Sequence, residues 1–358
     1  MDDRNQEILE FFRSNGLSGA VRKQLAGDAS TRRYERLELP NDRRLILMDS
    51  LASLKGKICP PDAGEAERRR LGYDALARRS TGKVEAFVCL SDWLIRCELS
   101  APRIVACAPE LGLALLEDLG DNLYCKFIDE GHPIAEQYSA AVDVIVHLSH
   151  HVPPRRLSAM GCDWEVLDYD LTALLVEVDL LLDWYVGRQL GRSISAKSRH
   201  DWRGAWSTCL EETAHDKIVL RDFHSPNLIW LPSRSALQRV GLLDFQDALI
   251  GSSVFDLMSL LEDPRRVIPT AIVEACKKQY VERLQLDDAD FDAEFAALGA
   301  QRNAKLIGIF ARLALAENKP QYLQYTDRVI SLFRAHLQHP MMRKVREWTR
   351  SEIPELGA

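Results

Sequence analysis

Three side chains in the middle of the sequence have the types and the spacing that phosphoryl transfer requires. Asp222 stands five residues before Asn227 in one polar loop, and Asp244 follows seventeen residues later, at the end of a short apolar run. Phosphoryl transfer needs a carboxylate near the attacking hydroxyl and oxygen ligands that hold Mg²⁺ against the nucleotide phosphates. We therefore predict that Asp222 is the catalytic base and that Asn227 and Asp244 bind the metal.

Each part of this pattern has a simpler explanation, but the combination is specific. Asp222 or Asn227 alone fits an ordinary polar turn with an Asx cap. An Asp five residues before an Asn, followed by a strand-ending Asp-Phe-Gln, is much harder to explain by turns alone. Hard oxygen ligands suit Mg²⁺ and disfavour zinc. The eight cysteines contain no C-x-x-C pair, which indicates buried reduced thiols rather than a zinc site or a disulfide framework.

The composition of the whole chain argues against several classes of protein. The 358 residues carry a net charge of −7, with acidic and basic residues interspersed, so a basic nucleic-acid-binding face is not expected. No apolar run approaches the ~18 residues of a membrane span. The N-terminus lacks the basic start and apolar core of a signal peptide. We expect a cytoplasmic, monomeric, globular protein that binds neither nucleic acid nor membrane.

The first part of the chain contains strands, and these must hold one side of the site. The turn sequence Pro40-Asn41-Asp42 joins two short apolar runs, which favours a hairpin. We predict, in order, a short helix at 8–12, strands at 34–39 and 44–48, a polar excursion at 55–84 with one helix, a helix at 86–97 and a buried strand at 111–116.

The remainder of the chain is mainly helical. Wide apolar faces recur at helical spacing in 134–148 and 171–185. Two short apolar runs, 218–220 and 240–243, predict strands on either side of the loop that carries Asp222. The polar segment 117–122 suits a hinge. We predict an α+β fold of two lobes, a small strand-containing, nucleotide-covering N-lobe at 1–119 and a larger helical C-lobe at 120–358 that holds the catalytic, metal and substrate sites.

These motifs resemble those of a known superfamily. The stretch Arg221 to Asn227 resembles the catalytic loop of the aminoglycoside-phosphotransferase and protein-kinase-like superfamily, and Leu243 to Asp247 resembles its metal-binding Asp-Phe-Gly segment. His224, where protein kinases have Lys, is similar to the small-molecule kinases. The chain is most similar to the N-acetylmuramate/N-acetylglucosamine anomeric kinases of bacterial cell-wall recycling. This resemblance covers nearly the whole chain and is carried by residues 27–34, 47–49, 115–121, 169–185 and 308–323.

The resemblance implies a two-lobed protein-kinase-like fold and transfer of the ATP γ-phosphoryl group, with Mg²⁺, to the C1 hydroxyl of one of these sugars. The partner would be a small-molecule sugar. One alternative keeps the chemistry but changes the acceptor to an aminoglycoside or a choline-like alcohol. Another is a pseudokinase-like binding module. The intact Asp222, Asn227 and Asp244 argue against the module, whereas Met48, which stands where most kinases place a phosphate-holding Lys, argues for it.

The ATP site is expected in two places. A loop of small residues before the first hairpin resembles a nucleotide-covering loop, because such residues permit close approach of backbone N–H groups to phosphates. Since Met48 cannot neutralise phosphates, we expect Arg32 or Arg33 to do so, with two solvated strand arginines as the equal alternative. The hinge would contact adenine chiefly through its backbone. The loop residues are Gly27, Asp28, Ala29, Ser30 and Thr31, and the hinge residues are Glu117, Asp118 and Leu119.

Three side chains are assigned to the acceptor. Glu177 lies at the edge of an apolar helical face, where a carboxylate can accept hydrogen bonds from sugar hydroxyls, whereas Asp179 and Asp183 suit a solvated face. His224 is placed on the acceptor side of the catalytic loop. Arg312 can bind a sugar or a carboxylate, although a partly buried ion pair explains it equally well. Asp256 resembles a superfamily residue that braces the catalytic loop, and we assign it a structural role.

Overall fold

The structure is a computed structural model that describes residues 3–25, 32–51, 57–211 and 213–357. It confirms the two-lobed α+β fold. The N-lobe contains a five-stranded antiparallel sheet with the strand order β1-β2-β3-β5-β4. The strands are β1 (Val21–Gln24), β2 (Arg33–Glu38), β3 (Arg44–Asp49), β4 (Ile104–Ala108) and β5 (Leu113–Glu117).

One face of this sheet is covered by the first helix, α1 (Asp3–Ser14). Its apolar side carries Ile8, Phe11 and Phe12, which pack with buried leucines of β2, β3 and β5 in a small core of their own. The chain leaves the helix through Gly16, whose φ of +71° is the left-handed conformation that glycine adopts without a Cβ penalty. The predicted helix and hairpin are therefore confirmed.

The opposite face of the sheet packs against α4 (Val84–Arg96) and belongs to the main core. Met48 is fully buried there and lies opposite Tyr34 of β2 and Ala114 of β5. The same apolar cluster continues from α4 into the C-lobe helices. The sheet and the C-lobe are thus joined by continuous apolar packing. The lobe boundary at 119/120 stays a prediction, and it falls between the end of β5 and the next helix at Tyr124.

The polar excursion after β3 forms two short helices in its described part, α2 (Glu65–Leu71) and α3 (Tyr73–Leu76), where one was predicted. Arg68 is only 2% exposed and donates to two backbone carbonyls of α3. It also donates to both carboxylate oxygens of Asp170, at 2.6 and 3.1 Å. Arg78 approaches the same carboxylate to 3.0 Å. These bonds anchor the excursion to the C-lobe.

The C-lobe is mainly helical, as predicted. The long helix α11 (Asp288–Ala316) lies at the centre of the lobe. It packs against α7 (Leu171–Leu180), α9 (Val254–Leu261) and α12 (Thr326–Leu337). A π-helical turn at 181–189 continues α7. The helices are α5 (Tyr124–Asp129), α6 (Ala135–Ser149), α7 (Leu171–Leu180), α8 (Ala196–Leu210), α9 (Val254–Leu261), α10 (Thr270–Leu284), α11 (Asp288–Ala316), α12 (Thr326–Leu337) and α13 (Arg343–Glu352).

Three short antiparallel strand pairs interrupt the helices. Two of these pairs flank the loops that carry Asp222 and Asp244. In one pair, β8 (Lys217–Val219) precedes Asp222 and pairs with β11 (Leu249–Gly251). In the other, β10 (Val240–Leu242) precedes Asp244 and pairs with β9 (Leu228–Trp230). The prediction found β8 and β10 but missed their partners, and it also missed β1, β4 and the β6–β7 hairpin. These strands are β6 (Arg156–Ala159), β7 (Cys162–Glu165), β8 (Lys217–Val219), β9 (Leu228–Trp230), β10 (Val240–Leu242) and β11 (Leu249–Gly251).

All eight cysteines carry free thiols, as predicted. Seven are buried, and Cys107 on β4 is partly exposed. Burial raises the pKa of the Cys89 and Cys97 thiols to about 11 and that of Cys162 to about 12. Among the described helices, none combines the length and the apolar character needed to cross a bilayer.

Candidate active site

The backbone of the catalytic loop is held by one buried carboxylate. Asp256, in the first turn of α9, is 2% exposed and accepts the backbone N–H of Leu220 at 2.7 Å and of Arg221 at 2.9 Å. Burial raises the pKa of Asp256 to about 7, although the two donors oppose this shift. The bracing role expected of Asp256 is confirmed by these two bonds.

The braced loop brings the predicted base and the first metal ligand together. The amide nitrogen of Asn227 donates to the backbone carbonyl of Asp222 at 2.9 Å, which leaves the Asn227 amide oxygen as an acceptor. Arg221, just before the base, has a φ of +68°. A non-glycine residue in this region costs on the order of 1–3 kcal/mol and is typical of functional sites.

Asp244 reaches the same place from the next strand pair. The backbone N–H of Leu243 donates to the carbonyl of Asn227 at 2.9 Å, so the two predicted metal ligands lie on adjoining backbone segments. Asp244 also has a left-handed φ, of +57°. Its carboxylate is one-third exposed, pairs with Arg32 of the N-lobe, and accepts a hydrogen bond from Gln246 at 3.1 Å. Hydrogen bonds to the backbone therefore connect the two loops that carry Asp222, Asn227 and Asp244.

The two arginines proposed for the phosphates occupy different environments. Arg32 is 8% exposed and lies in the cleft against Asp244, whereas Arg33, the next residue on β2, is exposed on the outside. Burial lowers the pKa of Arg32, but Tyr34, Asp244 and Asp247 outweigh this effect and raise it, so the guanidinium stays charged. Of the two candidates, Arg32 is therefore the one that lies against Asp244, and the phosphate role stays a prediction.

The remaining nucleotide predictions are addressed only in part. The loop Gly27–Thr31 lies outside the described residues. At the hinge, the carboxylate of Glu117 forms an ion pair with Arg234 at 2.6 Å. Both carboxylate oxygens of Asp118 accept hydrogen bonds from the guanidinium of Arg36, at 2.7 and 3.1 Å. Both carboxylates are thus occupied, and the backbone contact with adenine expected of Glu117, Asp118 and Leu119 stays a prediction.

Glu177 has a different environment from the one expected. It is fully buried on α7, and its carboxylate accepts hydrogen bonds from Arg221 at 2.5 Å, Lys305 at 2.7 Å and Gln301 at 3.0 Å, as well as from the Tyr169 hydroxyl. Burial raises the pKa of Glu177, but Lys305 and Arg221 outweigh it and lower the pKa to about 2. A carboxylate enclosed by four donors does not face an acceptor, so direct sugar contact is corrected to support of Arg221.

Two other expectations about charged side chains have different outcomes. Asp179 was expected on a solvated face, but it is 3% exposed and accepts from Arg203 at 2.6 and 2.8 Å, because α8 covers that side of α7. Arg312 lies 3.6 Å from Glu317 and over the ring of Tyr73. This geometry supports the ion-pair alternative for Arg312, and its contact with a sugar stays a prediction.

Two cations of α11 act electrostatically on residues of the catalytic loop, and the sequence did not reveal them. Burial, together with the charge of Arg302, lowers the pKa of His224 to about 4, so the imidazole is neutral near pH 7. Arg302 and Lys305 stand three residues apart on a helix that is otherwise largely apolar here. That pair of cations on one helical face was the available signal. His224 itself stays a proposed acceptor contact.

A further carboxylate connects the metal loop to the excursion. Asp247, three residues beyond Asp244, is 7% exposed and accepts the backbone N–H of Ser80 at 2.7 Å and Arg79 at 3.4 Å. Burial raises the pKa of Asp247, but Arg79 and Arg221 outweigh it and lower the pKa below its usual range. A cavity of about 760 Å³ opens behind this loop toward the β6–β7 hairpin, and Asp222 does not line it.

Sequence comparisons relate this chain to known phosphotransferases. The sequence model of the phosphotransferase enzyme family matches residues 21–298 of this chain. A Caulobacter vibrioides protein named N-acetylmuramate/N-acetylglucosamine kinase is 39% identical over 98% of this chain and 97% of its own. A Pseudomonas putida protein of the same name is 29% identical over 76% of this chain and 75% of its own.

Solved structures of more distant proteins share the fold. A choline kinase, LicA from Streptococcus pneumoniae, has a TM-score of 0.59 at 12% identity and covers 93% of this chain and 100% of its own. An ADP-bound aminoglycoside phosphotransferase, APH(2'')-Ib, has a TM-score of 0.55 at 13% identity and covers 93% and 99%. At these identities the likeness concerns the fold alone.

Proposed function

The chain belongs to the phosphotransferase enzyme family, and on that premise we propose that it transfers the γ-phosphoryl group of ATP to the C1 hydroxyl of N-acetylmuramate and N-acetylglucosamine. The observation that carries this proposal is the 39% identity, over almost the full length of both chains, to a kinase named for these two sugars. The aminoglycoside and choline alternatives rest on structures that share only the fold.

The arrangement of Asp222 supports its role as the base. Its backbone is held by Asn227 and, through Leu220 and Arg221, by Asp256. A fixed carboxylate can orient a sugar hydroxyl and accept its proton as the phosphoryl group is transferred. The anomeric hydroxyl is the most acidic hydroxyl of a reducing sugar, which suits a single carboxylate base.

The donor set beside the base fits Mg²⁺. Asp244 offers a partly exposed carboxylate, and Asn227 offers an amide oxygen on an adjoining segment. Mg²⁺ is commonly held by one or two such ligands together with substrate phosphates and water. Bound there, the ion would neutralise charge on the phosphates. The ion pair of Asp244 with Arg32 supports a place for positive charge beside this carboxylate.

Arg32 compensates for the missing strand lysine in this proposal. Met48 lies fully buried in the apolar face of the sheet and presents no charge to the cleft. Arg32 reaches the metal loop from the N-lobe and remains a cation. We propose that its guanidinium contacts the phosphates when ATP is bound, because a planar fork suits phosphate oxygens.

The test compares acceptors under one assay of ATP consumption. Free N-acetylmuramate and N-acetylglucosamine are compared with their 1-O-methyl glycosides, in which the anomeric oxygen is blocked, and with choline and an aminoglycoside. We expect turnover of the two free sugars only. Equal turnover of the glycosides would contradict C1 transfer. Turnover of choline or the aminoglycoside without turnover of either sugar would reject the sugar assignment.

A further inference from the structure

Arg302 is a buried cation at the reacting end of the site whose role the catalytic cluster does not explain. It projects from α11, is 6% exposed, and donates from Nη1 to the backbone carbonyl of Glu262 at 3.2 Å. Within the described ranges it forms no ion pair with a carboxylate. A buried guanidinium that lacks a charged partner is costly to keep, so an anionic ligand is the natural complement.

The neighbouring carboxylates are already engaged by other groups. The oxygens of Glu262 accept from Asn303 at 2.9 Å and from His336 at 2.7 Å. Asp263 accepts from the hydroxyl of Ser225 at 2.5 Å. Arg302 is therefore bound to the backbone of this segment while its acids serve other donors. Nη1 is the only guanidinium nitrogen of Arg302 with a hydrogen-bond acceptor in the described part of the chain, so the other N–H groups are available to a ligand.

Hydrogen bonds place Arg302 beside the catalytic loop, because it binds Glu262, and the next residue, Asp263, accepts from Ser225, which follows His224. Burial lowers the pKa of Arg302, while Glu262, Asp222 and Asp263 act in the opposite direction. Its own charge contributes to the low pKa of His224. Asp222 and His224 are the residues assigned to the attacking hydroxyl and the acceptor. The phosphate side of the cluster already has a cation, since Arg32 contacts Asp244.

We propose that Arg302 binds the carboxylate of an acidic sugar and so sets the preference for N-acetylmuramate over N-acetylglucosamine; this inference rests on the proposed function. The two sugars differ by the 3-O-lactyl group, which carries a carboxylate that N-acetylglucosamine lacks. An arginine fork matches a carboxylate with two parallel N–H···O bonds. The neutral sugar would bind the same pocket without this contact.

The first test measures kcat and KM of both sugars with Arg302→Gln and Arg302→Lys. We expect Arg302→Gln to lower kcat/KM for N-acetylmuramate roughly 10- to 100-fold, mainly through KM, because a charge-assisted hydrogen bond is lost. The value for N-acetylglucosamine should stay within about twofold. Arg302→Lys should restore part of the loss, since the charge remains without the fork.

Arg328→Gln is the matched control. Arg328 also donates to a backbone carbonyl of the same segment, that of Asp263, at 3.0 Å. It is not among the residues placed at the acceptor. Its replacement should leave the ratio of the two kcat/KM values unchanged. A shift of that ratio equal to the shift in Arg302→Gln would overturn the inference, because general loosening of the segment would then explain both.

A substrate analogue tests the same contact without relying on a variant. The analogue is the carboxyl methyl ester of N-acetylmuramate. The wild type should turn over this ester as slowly as Arg302→Gln turns over the free acid. Arg302→Gln should turn over the acid and the ester at equal rates. An equal loss of kcat for both sugars in the variant, or wild-type indifference to the ester, overturns the inference. If the wild type phosphorylates neither sugar, the proposed function fails, and the inference fails with it.

Discussion

Two residues of the proposed active site hold the backbone in the left-handed region, Arg221 before the proposed base and Asp244, a proposed metal ligand. Neither is glycine, so the surrounding structure must compensate for the conformational cost. For Arg221 the compensation is visible, because Asp256 binds its N–H and Glu177 binds its guanidinium. The site is therefore preorganised by groups that do not touch the reactants.

Replacement of the base tests the central residue. Asp222→Asn should lower kcat by roughly 10²- to 10⁴-fold while ATP still binds, because the amide can orient but not accept the proton. Steady-state turnover and nucleotide titration measure the two effects. Asp216→Asn is the control, since Asp216 is an exposed residue six positions earlier that pairs only with Lys217 at 3.0 Å in the described structure. Near-normal turnover of a folded Asp222→Asn protein would reject the role.

Replacement of the metal ligands should have graded effects. Asp244→Ala removes the only carboxylate of the proposed pair and should lower kcat by more than about 10²-fold at any Mg²⁺ concentration. Asn227→Ala should be partly rescued by raised Mg²⁺, since one neutral ligand is lost. Activity as a function of free Mg²⁺ separates the two. Full activity of the wild type in excess chelator would contradict a metal-dependent mechanism.

The residues that the sequence predicts for the reaction share one property, which is that their spacing along the chain is local. Asp222, Asn227 and Asp244 lie within one short stretch, so their chemistry follows from types and distances along the chain. The partners of Glu177 lie 44 residues away at Arg221 and 128 residues away at Lys305. Helical periodicity locates the edge of a face but cannot show what covers it, so the surroundings of Glu177 were not predictable.

At the scale of elements, α7 carries the buried Glu177, whose carboxylate binds the guanidinium of Arg221 in the catalytic loop. Tyr169 and Gln301 contribute further donors to the same carboxylate. Periodic helices such as α6 and α7 could be predicted because their apolar faces repeat over several turns. Strands of three residues are too short to show a period, so β8 and β10 were predicted only as apolar runs beside a polar loop, and β9 and β11 were missed. Pairing with distant partners defines them instead.

Neutralising Glu177 should destabilise this arrangement. Glu177→Gln leaves Arg221 and Lys305 buried without their counter-charge and should lower the free energy of unfolding by roughly 3–5 kcal/mol. Urea unfolding measures the change. Glu136→Gln is the control, because its exposed pair with Arg239 should contribute no more than about 1 kcal/mol. Equal stabilities of the two variants would contradict a supporting role for Glu177.

The same acid predicts a pH dependence of stability. The pKa of Glu177 in the folded protein is about 2, below its ordinary value of 4.5, so ionised Glu177 stabilises the fold. That contribution is complete above pH 4.5 and is lost as the pH falls toward 2. The wild type should therefore lose more stability over this range than Glu177→Gln. Parallel acid-unfolding curves of the two proteins would contradict the assignment.

At the scale of the whole molecule, the lobes share apolar packing and are also connected through the excursion after β3. Asp170 is central to this connection, since it caps α7 through the N–H of Ala173 and receives Arg68 and Arg78 from the excursion. The two-lobed architecture was predictable from the order of strands and helices. The connection was not, because a polar segment rich in charges gives no indication of which partners it meets.

Removing this carboxylate should weaken the whole fold. Asp170→Ala loses a helix cap and leaves the buried Arg68 unpaired, so we expect a loss of roughly 2–4 kcal/mol in the free energy of unfolding. Ser195→Ala is the matched control, since Ser195 caps α8 through the N–H of Ser198 and carries no charge. It should cost about 1 kcal/mol. Equal costs would show that the ion pairs with the excursion contribute nothing.

The burial of the cysteines has a practical consequence for measurement. Thiols react as thiolates, so seven buried thiols and a partly exposed Cys107 with a raised pKa should be slow to alkylate. A cysteine introduced at an exposed site would then react selectively in an otherwise native protein. Val105 on β4 and Val267 in the C-lobe are 49% and 71% exposed. A fluorophore pair attached there would report the distance between the lobes as nucleotide and sugar bind.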